Sequence, residues 1–327
     1  LRAYPEAAAV LEDMQALLPL HLAAANHAPA ASVRLLIDAN PQACSIGALS
    51  QHGWLPLHFA IEYRQSPDIV ARMLACYPDA ARVEVHVPAC AGVPAHAQLP
   101  LHRALYLGQL DHVAMLLRVH PEGARVPDNL HGLVPLQVAV RLSLGAPVVR
   151  ILLDAWPEGA ACVKDGLLPL HMACERSSSA HEKVEEEAKE EAKEEDEERR
   201  RRNAAESSAN AKDARATSNG RSDDSIVNAE AGARGIEIDI DVVRALLSAN
   251  PLAATTPGTM NGLLPLHMAC AQRAHLDVIK ALAHAAPATI ITRAGRMAKT
   301  MHGMVPLHVA LASATGGGIG TEGTLTT

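Results

Sequence analysis

Apolar residues along this chain fall at helical spacing in short blocks, and the blocks themselves recur. One of them, Gly166-Leu167-Leu168-Pro169-Leu170-His171-Met172-Ala173-Cys174, returns letter for letter at Gly262 to Cys270. Its core, Leu-Pro-Leu-His, also stands at Leu18 to His21, Leu55 to His58 and Leu99 to His102, with variants at Val134-Pro135-Leu136-Gln137 and Val305-Pro306-Leu307-His308. Self-similarity at a roughly fixed period marks a repeat architecture. The core prolines Pro19, Pro56, Pro100, Pro135, Pro169, Pro265 and Pro306 lie 34 to 44 residues apart, except for one step of 96.

A second block follows most cores: an aliphatic pair, two or three residues, then Pro. The pairs are Leu36-Ile37, Met73-Leu74, Leu116-Leu117, Leu152-Leu153, Leu246-Leu247 and the weaker Leu282-Ala283. Eight residues before the closing prolines stand Val33, Val70, Val113, Val149, Val243 and Ile279. Apolar positions three and four apart form one stripe on a helix, so this block is an amphipathic helix facing its neighbours. The first helix starts at the core because proline suits the first helical position and pushes the residue before it into extended backbone. Gly53, Gly132, Gly166, Gly262 or Gly303 lies three residues before a core Pro, and Asp165-Gly166 and Asn261-Gly262 favour the positive φ of a tight hairpin. Each unit therefore reads helix, turn, helix, finger loop, an all-α solenoid of about six to seven units.

Units opened by Pro-Leu-His-x-Ala after a Gly turn, and closed by a Val and a Leu-Leu pair, resemble ankyrin repeats. The segment Leu107 to Leu117 is similar to that family's second helix. Two departures stand out. The family's Thr before the core Pro is replaced by Leu18, Leu55, Leu99, Val134, Leu168, Leu264 and Val305, and its Gly-Ala after the second helix by segments such as Asn40-Pro41-Gln42-Ala43. Loss of a Thr cap costs roughly 1 kcal/mol, which packing of the apolar residue is expected to offset. The resemblance implies a non-enzymatic scaffold that binds a protein partner through its finger loops and concave face. The polar residues beside the turn glycines are then the candidate contacts: Gln51, His52, Asp128, Asn129, His131, Lys164, Asp165, Met260, Asn261 and His302. An alternative reading makes the chain the regulatory or targeting segment of a larger enzyme or membrane protein, motivated by a start at Leu1 without a Met and by ends that carry no convincing polar cap; Tyr4-Pro5-Glu6-Ala7 looks like the end of an earlier unit.

The step of 96 has a single cause. Elsewhere the aliphatic pair follows the core Pro by 16 or 17 residues, whereas Leu246 follows Pro169 by 77, so about 60 residues are inserted between the two helices of the fifth unit. The resulting plan is solenoid over 1–174, a charged insert over 175–235, solenoid again over 236–314 and a Gly- and Thr-rich tail over 315–327. The insert is acidic from Glu182 to Glu198 and ends in Arg199-Arg200-Arg201-Arg202. Pairs such as Glu185 with Lys189 support a solvated helix, and the near absence of apolar residues predicts disordered flanks. The arginines read as a solvated charge run ahead of a nuclear import signal. Two further fingers, Pro78 to Pro100 and Pro287 to Pro306, are long and read as extended.

Composition narrows the chemistry. About half the residues are apolar but only 2% are aromatic, so the core is Leu, Val and Ala, with Trp54 and Trp156 as core or edge packing. A net charge of −7 gives no general nucleic-acid surface. There is no apolar run long enough for a membrane span, and no small-molecule substrate or cofactor is expected. Of 17 histidines, His21, His58, His102, His171, His267 and His308 occupy one position of successive units. Helix packing sets such neighbours about 8 to 10 Å apart, too far to share a metal. They read as structural imidazoles bonded to backbone, a role that an amide, Gln137, can also fill. Cys44, Cys76, Cys90, Cys162, Cys174 and Cys270 form no Cys-x-x-Cys pair and read as reduced, which suits the cytoplasm or nucleus.

Overall fold

The structure is a computed structural model that describes residues 5–10, 17–48, 53–87, 96–175, 238–258, 262–294 and 303–314. The chain divides into two units, residues 1–175 with 238–327 and residues 176–237, and all described residues belong to the first. The predicted insert and tail lie outside the described residues.

Every core proline opens a helix. The first helices are Pro19–Ala25, Pro56–Glu62, Pro100–Tyr106, Pro135–Arg141, Pro169–Cys174, Pro265–Ala271 and Pro306–Ala314. The second helices are Ala30–Ala39, Pro67–Cys76, Leu110–Val119, Ala146–Ala155, Ile240–Ala249 and Leu276–Ala285. First helices pack on first helices and second on second along the stack. The apolar stripe does this: Val33, Val70, Val113, Val149 and Val243 are buried, while in the sixth unit the stripe shifts by one and Val278 replaces Ile279 at the centre. The Pro after each second helix starts a short 3-10 helix, from Pro41–Ser45 in the first unit to Pro287–Ile290 in the sixth. Small residues are required there. A Cβ on Gly159 would stand 3.0 Å from the Trp156 ring, and one on Gly123 would stand 3.1 Å from the His120 ring.

The core histidine staples each unit together. Its Nδ1 accepts the N–H of the residue before the core Pro, at 3.1 Å for His21 with Leu18 and for His58 with Leu55. Its Nε2 donates to a carbonyl at the start of the finger, Ile46 at 3.0 Å, Val83 at 3.2 Å and Val126, from His102, at 2.9 Å. Gln137 does the same with an amide, accepting from Val134 at 3.2 Å and donating to Cys162 at 3.0 Å. The missing Thr cap is thus offset twice. Burial of Leu18, Leu55, Leu99, Leu168 and Leu264 supplies the expected packing, and the histidine supplies a hydrogen bond at the helix start. Two units have half a staple: His102 Nδ1 and the Gln98 amide of the third are buried without protein partners, and in the fifth His171 accepts the Leu168 N–H at 3.3 Å while its Nε2 is buried without a partner. His308, on the seventh core, is exposed.

Five of the seven first helices close on a left-handed residue eight positions after the proline: His27, Arg64, Gly108, Ser143 and Arg273, with φ between 51 and 67°. The next N–H returns to the carbonyl five residues back, as in Gln65 to Ala60 at 2.8 Å and Leu144 to Ala139 at 3.1 Å. That is a Schellman closure. In the fifth unit the first helix ends at Cys174, the position where the others begin to turn. The chain re-enters at Asp239, whose carboxylate accepts the Asp241 N–H at 2.8 Å and caps the second helix. That helix packs against Pro169–Cys174 as its counterparts do in uninterrupted units.

The fingers follow the turn chemistry. Asp165 and Gly166 both have positive φ, and Lys164 pairs with Leu167 across them. The long finger after Pro78 is an antiparallel hairpin of Val85–Val87 with His96–Gln98, and the Trp54 indole of the preceding finger donates to the His86 carbonyl at 2.8 Å.

Candidate protein-binding surface

The best-defined finger is the one between the third and fourth units, and it is built around Asp128. Its backbone N–H donates to the Leu133 carbonyl at 2.8 Å, while its Oδ1 accepts from the N–H groups of His131 and Leu133, both at 2.9 Å. Oδ2 accepts from the Tyr106 hydroxyl at the end of the third unit's first helix. Burial alone would raise the Asp128 pKa, but these hydrogen bonds outweigh it and the net shift is downward. The carboxylate is therefore ionised and fully used. Burial, with the bond to Asp128 behind it, pushes the Tyr106 phenol upward, so it stays a donor.

This corrects one expectation. Asp128 is only 2% exposed and organises the loop from inside instead of meeting a partner. The outward residues of that tip are Asn129 and His131, and the His131 Nδ1 rests 3.2 Å from the Tyr106 oxygen. On the next finger Asp165 is exposed, and the Lys164 ammonium reaches back to lie over Gly132, 3.1 Å from where a Cβ would sit. Asn129, His131, Lys164 and Asp165 thus sit on adjoining tips. Gln51, His52, Met260, Asn261 and His302 lie outside the described residues.

The first helices contribute side chains that loop-based reasoning missed. Six residues after the core Pro stand Glu62, Tyr106 and Arg141, and alignment of the units on their prolines reveals this outward position. Arg103 makes a bidentate pair with Glu62, Nε to Oε2 and Nη2 to Oε1, both at 2.5 Å. Tyr63 is 42% exposed and stacks on Phe59 at 6.4 Å. Tyrosine and arginine are the residue types that dominate binding hot spots. Among the described residues no group of histidine, cysteine or carboxylate side chains has the arrangement of a metal site, and no helix is long and apolar enough to cross a membrane.

The ankyrin repeat family model matches residues 261–293, the finger and helices of the sixth unit. The ankyrin repeat domain of Bcl-3, described as a unique member of the IkappaB protein family, is 24% identical, and the match covers 50% of this chain and 66% of that one, with a TM-score of 0.36. The human ASB11 ankyrin repeat domain is 18% identical over 92% of this chain and 98% of that one, with a TM-score of 0.48. No curated protein matches the chain at a significant level. The sixth unit thus matches the ankyrin repeat, a type of repeat that generally serves as a protein–protein interaction module, and other units share its Pro-Leu-His helix start, its left-handed turn and its 3-10 closure.

Proposed function

We propose that this chain is a non-enzymatic scaffold that holds a partner protein on the face formed by its finger tips and the outward sides of its first helices. The observation that carries this reading is the finger at 128–133. A buried, fully bonded carboxylate fixes the loop, so Asn129 and His131 are presented on a rigid mount beside Lys164 and Asp165. Preorganised tips lose little conformational freedom on binding, and that raises affinity for a given contact area. The core histidines serve the staples, and the described cysteines Cys44, Cys76, Cys162 and Cys174 are not in disulfides. Burial pushes Cys44 and Cys174 up to about 12, far from a nucleophile's range. A reducing compartment, cytoplasm or nucleus, suits these thiols. The test is affinity capture from native lysate with the intact chain and with residues 175–235 deleted, after circular dichroism shows equal helicity. Capture of the same proteins by both supports the finger-side face; loss of capture in the deleted form would move recognition to the insert.

A further inference from the structure

The finger-side face is not uniform in charge. Between the third and fourth units three cationic or protonatable side chains meet: His131 on one tip, Lys164 reaching across from the next, and Arg141 on the first helix below. Arg141 follows Tyr106 at the same position of the next first helix and is close enough to act on it electrostatically, the Tyr106 oxygen lies 3.2 Å from His131 Nδ1, and the Lys164 ammonium lies over Gly132 of the same finger. His131 and Lys164 each have one carboxylate within ion-pair reach, Asp128 and Asp165. Arg141 has no ion pair among the described residues, whereas the neighbouring Arg103 is fully engaged by Glu62. Lys164 is 3.8 Å from the Asp165 carboxylate, beyond hydrogen-bond distance. The exposed His131 ring uses only Nδ1 in these contacts, 3.2 Å from the Tyr106 oxygen and 3.5 Å from Asp128 Oδ2. Asp128 is buried and also engaged by Tyr106 and two backbone N–H groups. Asp165 is the one exposed carboxylate on these two tips.

We infer that Arg141, Lys164 and His131 form a carboxylate-accepting subsite for an acidic segment of a partner protein, with Tyr106 as its aromatic floor. The inference rests on the interaction reading above and adds the partner's chemistry. A guanidinium offers paired N–H donors that match a carboxylate, and an ammonium and an imidazole on either side extend the site to a second acidic residue. Nucleic acid fits less well: the site is a single cluster on a chain of net charge −7, not a stripe that tracks a phosphate backbone.

The test is fluorescence anisotropy with the intact chain and three labelled probes of equal length: a glutamate/serine peptide, a lysine/serine peptide and a single-stranded oligonucleotide. The glutamate peptide is expected to bind at low salt and to weaken toward about 0.15 M as screening sets in. Arg141→Glu with Lys164→Glu should weaken it by about tenfold or more and favour the lysine peptide. Arg244→Glu, on an exposed second helix, should leave it unchanged, and circular dichroism of each variant guards against misfolding. An unchanged affinity in the double variant, preference for the oligonucleotide, or no binding of the glutamate peptide to the parent chain would overturn the subsite. If lysate capture persists in that case, the scaffold reading stands and only the acidic specificity falls.

Discussion

At the residue scale the core histidine decides most. In His21, His58 and His267 the Nδ1 accepts and the Nε2 donates, which requires the neutral imidazole with its proton on Nε2. Burial drives His58 down from 6.5 to about 4, with the Val83 carbonyl partly opposing, and burial also lowers His21, His102, His171 and His267. The unfolded chain takes up protons near pH 6.5 and the folded one resists until about 4, so the stabilisation is complete above the higher value and is lost as pH falls between the two. For His58 the difference is on the order of 3 kcal/mol. Thermal melts should therefore be flat above pH 6.5 and drop steeply below it, and His58→Gln, which copies Gln137, should make that drop shallower while retaining the fold at neutral pH. A drop of equal steepness in the variant would contradict the staple. The left-handed position gives a second prediction. Ser143 sits at φ 53° and is exposed. Ser143→Gly removes a Cβ penalty of about 1–2 kcal/mol and adds unfolded-state entropy of about half that, so a gain of about 0.5–1 kcal/mol in urea melts is expected.

At the element scale the sequence made the helices legible because proline and apolar periodicity act locally. It placed every first helix at its core proline and paired Pro169–Cys174 with Ile240–Ala249 as the two helices of one unit. The Schellman turns were not legible: His27, Arg64, Ser143 and Arg273 occupy a position that glycine normally marks. The 3-10 closures were seen only as proline-containing segments, since nothing in Pro-Glu-Gly-Ala announces a tighter helix. For the candidate surface, proximity to turn glycines selects Asn129, His131, Lys164 and Asp165, which reach solvent, together with Asp128, which is buried because the direction of its carboxylate depends on Tyr106, 22 residues away. Asp128→Ala should leave two N–H groups without partners and the Tyr106 hydroxyl with His131 alone, at a cost of about 2–3 kcal/mol. Hydrogen exchange should then accelerate at His131 and Leu133 while the helices of the fourth unit keep their protection; unchanged exchange there would show the finger to be held by something else.

At the scale of the whole molecule, stability in such a stack is a sum of unit and nearest-neighbour terms. The fifth unit keeps both helices packed, and Asn250 in its second half donates to the Ala160 carbonyl of the fourth at 3.3 Å. Replacing residues 176–237 by a short turn like Gln272-Arg273-Ala274 of the sixth unit should leave the melting temperature within a few degrees of the parent. A single cooperative transition would accompany it, whereas two separated transitions would show that the insert couples the halves. The central claim is that a partner lies on the finger side. Its most direct measurement is photo-crosslinking in lysate from a reactive residue placed at Asn129 on the tip or, in a separate chain, at Arg244 on an exposed second helix. The account predicts a discrete cross-linked protein from Asn129 that is absent from Arg244; cross-links from Arg244 alone would place recognition on the opposite side and contradict it.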